Sequence, residues 1–178
     1  MLRKLEADAR QWVQANWQAT IGAITHVEVN PGLAAGCPVM QKFMTGFNNV
    51  PAQVQASGFF AWHGTSEVAI PLICNTGFDP KVRAGQAMGP GEYFGGQPSI
   101  SHGYSQGKGC SRMIVAHILN VPGVTTAGRN TPWAPGAQYV VVNNPVDFQT
   151  TFCLPLLVVT YGRAHTPIPF VQVQPRGA

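Results

Sequence analysis

The residues best suited to chemistry in this chain stand in two short runs. His63-Gly64-Thr65 places an imidazole and a hydroxyl on either side of a glycine that lets a ligand approach the backbone. Gly91-Glu92-Tyr93-Phe94-Gly95 sets an aromatic side chain between glycines, and Ser101 and Tyr104 follow at a spacing that suits a nearby turn. An aromatic face with a few directed hydrogen bonds is what a small, planar, polar ligand requires. A histidine that finishes a strand and a tyrosine within one also serve packing alone, and the spacing leaves that alternative open.

Other chemistries find less support. Ser66 does not stand in a Gly-x-Ser-x-Gly elbow that would make it a nucleophile. His102 and His117 have no partner spacing for a metal, and no metal is expected. The glycines of GPGEYFGG are not followed by Gly-Lys-Ser or Gly-Lys-Thr, which argues against a phosphate-cradling loop.

Elements must hold these residues in place. Leu2, Leu5, Ala9, Trp12, Val13 and Trp17 make an approximate helical stripe over residues 2 to 18, and Met40, Phe43, Met44 and Phe47 suggest a short core helix after NPGLAAGCP. GFFAWHGTS reads as a strand delivering His63 to a strand-to-helix junction, with Ser66 capping a helix from about Glu67 that ends at CNTGFDP. SISHGYS suits a short helical turn, and RMIVAHILNV, QYVVVNN and LPLLVVTYG read as strands. Short strands with long excursions and no internal repeat favour a mixed α+β fold.

A chain of 178 residues fits one domain, residues 1–178. Only 10% of residues are charged, against roughly 25% in an average soluble domain, so the surface is unusually neutral. The +4 formal charge is spread along the chain, which argues against a focused nucleic-acid interface. No apolar run is long enough to span a bilayer, and MLRKLEADARQWV turns too quickly to acids and glutamine for a secretory signal; an intracellular place, cytoplasmic or nuclear, is expected. Cys37, Cys74, Cys110 and Cys153 lack zinc-knuckle pairing and are expected as thiols. Oligomeric state is not legible.

HGTS, GFDP, GPGEYFG, SISHGYS, RMIVAHIL and LPLLVVTY stand in the order of the motif stretches of the PARP-type, or diphtheria-toxin-like, ADP-ribosyltransferase catalytic domain, which this chain resembles over roughly residues 58 to 161. The resemblance implies split antiparallel β-sheets with flanking helices that bind NAD⁺, the ADP-ribose donor, through a His-Tyr-Glu signature. By that resemblance His63 binds the adenosine ribose, the Gly64 backbone grips the nicotinamide carboxamide and Thr65 assists near the adenosine ribose. Tyr93 and Tyr104 sandwich the nicotinamide ring, Ser101 donates to its carboxamide, and Arg83 lies in the segment resembling the loop over the adenine and phosphates.

The third signature position departs from the pattern, because Leu156 stands where polymer-forming relatives carry glutamate, giving His63, Tyr93 and Leu156. No acid follows Asp147, and Glu92 is a poor substitute because neighbouring side chains on a strand face opposite ways. The resemblance therefore implies transfer of a single ADP-ribose to a protein acceptor rather than polymer synthesis. NAD⁺ hydrolysis, modification of a nucleic-acid end, and NAD⁺ or ADP-ribose binding without turnover stand as alternatives.

Overall fold

The computed structural model describes residues 1–34, 36–131 and 134–169, with the side chains of 127–131 and 134–137 left aside. The N-terminal stripe forms helix α1, Leu2–Asn16, which buries Ala9 and Val13. It stops one residue before Trp17, which is extended at φ −70°, ψ 138°. Trp12 stacks on Trp62 with ring centroids 5.1 Å apart, and Trp17 meets Trp62 at 5.6 Å and Tyr161 at 5.2 Å. The two tryptophans thus fasten the helix and its end to one sheet face. Helix α2, Pro38–Asn48, buries Val39, Met40 and Phe43, and α3 is a single turn, Ala52–Gln55.

Seven strands form one sheet: β1 (Ile24–Val29), β2 (Phe59–Gly64), β3 (Glu92–Gly95), β4 (Arg112–Ile118), β5 (Thr125–Thr131), β6 (Ala134–Val142) and β7 (Cys153–Tyr161). Their order is β1-β7-β4-β2-β3-β6-β5, and every pair is antiparallel. β4 and β7 are buried at every residue, which explains why their sequences read as continuous apolar runs rather than alternating ones. The architecture is a mixed α+β fold, an antiparallel sheet flanked by helices. Among the described residues no helix is long and apolar enough to cross a membrane.

Two local features shape the sheet. Pro155 sits inside the interior strand β7, where it lacks an N–H to donate, and the register against β4 slips there: Ala116 faces Pro155 while Val115 faces Leu157. Asn30, just after β1, repairs the slip by donating from its side chain to the Pro155 carbonyl (2.8 Å) and from its backbone to that of Leu156 (2.8 Å).

The second feature is a parting. β2 pairs with β4 at six positions but with β3 at only one, Trp62 opposite Gly95. The split expected between two sheets is therefore incomplete: four strands and three strands remain joined at a single pair. Helix α5, Pro98–Gln106, packs into the parting, and Ser101 donates to the Trp62 carbonyl at 2.8 Å. Helix α4, Ala69–Thr76, starts two residues later than Ser66 capping implies, since Ser66 engages through its carbonyl, accepting from the Ala69 N–H. It ends at Gly77, whose φ of 88° suits glycine, and whose N–H returns to Ile73.

Candidate functional site

The strands that separate at Trp62 and Gly95 open onto a cavity of about 540 Å³, within the range typical of small-molecule sites. Its walls come from the end of β2, α4 and the turn after it, β3, and α5. Of the residues singled out in the sequence, His63, Gly64, Thr65, Arg83, Tyr93, Ser101 and Tyr104 all line it.

His63 is part of its wall. Its Nδ1 lies 2.9 Å from the Tyr93 carbonyl, and because a carbonyl only accepts, the neutral ring carries its proton on Nδ1 and keeps Nε2 as an acceptor. Phe78 packs edge-on against the imidazole at 4.8 Å and Phe94 at 5.5 Å, fixing its plane. Burial pushes the His63 pKa down to about 4, the Tyr93 carbonyl opposes that shift and the Lys108 charge adds to it. His63 is consequently neutral near pH 7.

Gly64 is needed for packing as much as for access. A Cβ there would lie 1.9 Å from the Ser101 carbonyl oxygen and 3.0 Å from Ser105 Oγ, so the helix α5 backbone already occupies that space. The Ser101 hydroxyl, expected to donate to a ligand, spends its proton on the Trp62 carbonyl, which leaves its oxygen as an acceptor. Thr65 is buried beside them.

The two tyrosines differ. Tyr93 is half-buried, and its hydroxyl donates to the Gly89 carbonyl at 2.6 Å while accepting from the Met88 N–H at 2.7 Å, so the ring pins the loop that precedes β3. Tyr104 stays 48% exposed at the mouth. Burial of its hydroxyl, then a hydrogen bond with Tyr139, push its pKa up to about 12.

Arg83 lines the cavity, yet its guanidinium is committed to the protein. It meets Glu92 at 2.6 Å, Asn143 Oδ1 at 3.0 Å and the Asn144 carbonyl at 2.8 Å, with the side chains of the ion pair 7% and 5% exposed. Asn144 Nδ2 donates to the other Glu92 oxygen at 2.7 Å. Arg83 thus anchors the loop to β3 and to the residues just after β6, with three of its five N–H groups engaged within the protein. The same contact pairs the Glu92 carboxylate with a cation inside the protein.

Leu156 is not brought together with the other positions. Its side chain is fully buried in the core, and β7 contributes nothing to the cavity wall among the described residues. With β4 between them, β7 lies two strand spacings, roughly 10 Å, from β2. The acids that line the cavity are Asp79 and Glu92. Asp79 and Lys108 were not singled out in the sequence. GFDP reads there as a helix stop, and only the closing of the cavity assigns both residues to the site.

The remaining reactive side chains lie elsewhere. Glu67 accepts from Arg112, from Arg163 at 2.8 Å and from the Cys110 thiol at 3.1 Å. Burial pushes its carboxyl up, but Cys110, Arg112 and Arg163 outweigh that and hold it below the usual range. All four cysteines are buried, and none is in a disulfide among the described residues. Burial raises Cys74 and Cys153 to about 12 and Cys110 to about 11, which makes them poor nucleophiles. His117 packs between Phe43 and Phe60, and His102 shares a hydrogen bond of 2.9 Å with the Tyr161 hydroxyl. No protein-family model and no curated protein matches this chain.

Proposed function

We propose that this chain is a PARP-type, diphtheria-toxin-like ADP-ribosyltransferase domain that binds NAD⁺ in the cavity and transfers a single ADP-ribose to a protein acceptor with release of nicotinamide. The observation that carries this reading is the hydrogen bond from His63 to the backbone of Tyr93, which joins the first two signature residues at the parting of the sheet. The motif order along the sequence supports it, as does the clustering of the seven expected binding residues around one cavity.

In this reading His63 Nε2 accepts from a ribose hydroxyl, while Gly64 and Ser101 meet the carboxamide. Tyr93 and Tyr104 flank the nicotinamide ring, with Tyr93 held rigid by its hydroxyl and Tyr104 closing from the exposed side. Lys108 offers a cation at the wall for the negatively charged diphosphate. The glycosidic bond to nicotinamide breaks with its electron pair leaving on the nicotinamide nitrogen, and an acceptor oxygen forms the new bond at the ribose carbon. Leu156 supplies no carboxylate to activate that oxygen, so an acidic acceptor arrives already ionised.

The same absence favours a second reading, an NAD⁺ or ADP-ribose binding module without turnover. Isotopically labelled NAD⁺ incubated with the protein and a native lysate distinguishes the two by mass spectrometry. Single ADP-ribose units together with nicotinamide release support transfer; NAD⁺ binding without nicotinamide release supports the module. Elongated polymer contradicts both.

A further inference from the structure

A second cluster of chemically capable side chains lies on the edge strand β1, away from the cavity. His26 and Glu28 are two residues apart on that strand and therefore share a face. His165, from the segment that follows β7, joins them: one ligand atom from each of the three residues lies within 4.8 Å of the others. The two imidazoles stack with centroids 3.8 Å apart and an interplanar angle of 28°. His165 comes from 137 positions farther along than Glu28, so only the fold assembles the group.

Two buried polar atoms point to a missing partner. Glu28 Oε1 and His165 Nδ1 are both enclosed, and neither has a hydrogen-bond partner. A buried carboxylate oxygen and a buried ring nitrogen without partners are each costly, and one cation coordinated by both satisfies them together. The segment carrying His165 is already drawn against β1, since Thr25 Oγ1 donates to the Arg163 carbonyl at 2.6 Å and the Gly162 N–H to Ala23 at 2.9 Å. Ile168 follows it into the core.

We infer that His26, Glu28 and His165 form a binding site for a divalent transition-metal ion, zinc by the character of the donors, which clamps the segment after β7 to the sheet edge. Two imidazoles and one carboxylate make a typical three-ligand zinc set with a fourth position for water, whereas calcium and magnesium prefer oxygen donors throughout. Tetrahedral ligation at about 2.0–2.1 Å sets ligand atoms about 3.4 Å apart. The ligand atoms now lie within 4.8 Å of one another, so closing to that spacing falls to the exposed His26 side chain.

The test uses the full chain, free of any affinity tag and stripped with a chelator, titrated with Zn²⁺ against a chromogenic competitor, with Co²⁺ as a spectroscopic probe and Ca²⁺ as a control. Expected are one equivalent of zinc, a rise of several degrees in Tm, and a visible Co²⁺ band of tetrahedral nitrogen and oxygen ligation. Zinc affinity falls at least tenfold in each of His26→Ala and Glu28→Gln. His26 is exposed and Glu28→Gln is nearly isosteric, so far-UV circular dichroism of both variants is expected to match the parent. No zinc binding, affinity unchanged in both variants, a sulfur-to-cobalt charge-transfer band, or calcium binding as tight as zinc each overturns the inference. None of these readouts depends on NAD⁺.

Discussion

His63 and Tyr93, thirty residues apart, are joined side chain to backbone: the imidazole Nδ1 lies 2.9 Å from the Tyr93 carbonyl, and that contact spans the strands that part to form the cavity. It fixes the tautomer of the one histidine that lines the cavity and leaves Nε2 for a ligand hydroxyl.

Acid sensitivity follows from two buried imidazoles. His63 and His117 both titrate at about 4 in the folded protein against an ordinary 6.5, in each case chiefly through burial. The unfolded chain therefore binds these protons more readily, and the stability gained by keeping the rings neutral is complete above about pH 6.5 and lost as pH falls toward 4. Thermal melts are expected to be flat from pH 8 to 7 and to decline steadily between 6.5 and 4. His117→Asn, which removes one titrating group outside the cavity, gives a shallower decline; an unchanged slope would rule out burial of His117 as a cause.

Breaking the Arg83–Glu92 pair leaves a buried charge without its partner. Arg83→Met is expected to cost about 3–5 kcal/mol in chemical denaturation. Adding Glu92→Gln to that variant recovers part of the loss, because the neutral amide no longer requires a cation and Asn144 remains as a partner. Equal destabilisation in the single and double variants would show that Arg83 acts through packing alone.

Glycines near α5 are separable by space. Gly64→Ala places a methyl against the Ser101 carbonyl backbone and is expected to destabilise by about 1–3 kcal/mol while displacing the helix wall of the cavity. Gly103→Ala, in the same helix with nothing within 4 Å of its would-be Cβ, is expected to be neutral or to stabilise by about 0.4–1 kcal/mol. Equal Tm shifts for the two would contradict the close approach at Gly64.

Leu156→Glu buries a carboxylate in the core rather than aiming it into the cavity. Expected are a loss of several kcal/mol or a raised pKa for the new side chain, and no ADP-ribose polymer. Polymer from a stably folded variant, read by product length on a gel, would show that β7 reaches the reacting sugar after all.

Much of the frame was legible because its apolar periods are strong: α1 from its tryptophan stripe, α2 from Met40 and Phe43, and β2, β4 and β7 from dense apolar runs. β1 and β5 escaped notice for opposite local reasons. ITHVEV is a half-exposed edge strand with His26 and Glu28 among its residues, and TTAGRNT offers almost no apolar signal and pairs in broken register with β6. At the candidate site, HGT and GEYFG point to the cavity walls because glycine and aromatic types constrain the backbone locally. The commitment of Arg83 to Glu92 and the retreat of Leu156 into the core depend on which strands become neighbours, which no local spacing encodes.

The central claim is that NAD⁺ seats in the cavity against His63 and Tyr93, and titration calorimetry with NAD⁺ tests it most directly. The parent protein is expected to bind one NAD⁺. His63→Ala is expected to weaken binding at least tenfold, as the loss of about 1.4 kcal/mol or more from one directed hydrogen bond and its pinned ring implies, while Tm stays within a few degrees. Tyr93→Ala is expected to weaken it similarly through lost ring contact and release of the Met88–Gly89 loop. No measurable NAD⁺ binding by the folded parent protein, or equal binding by the parent and His63→Ala, would contradict it.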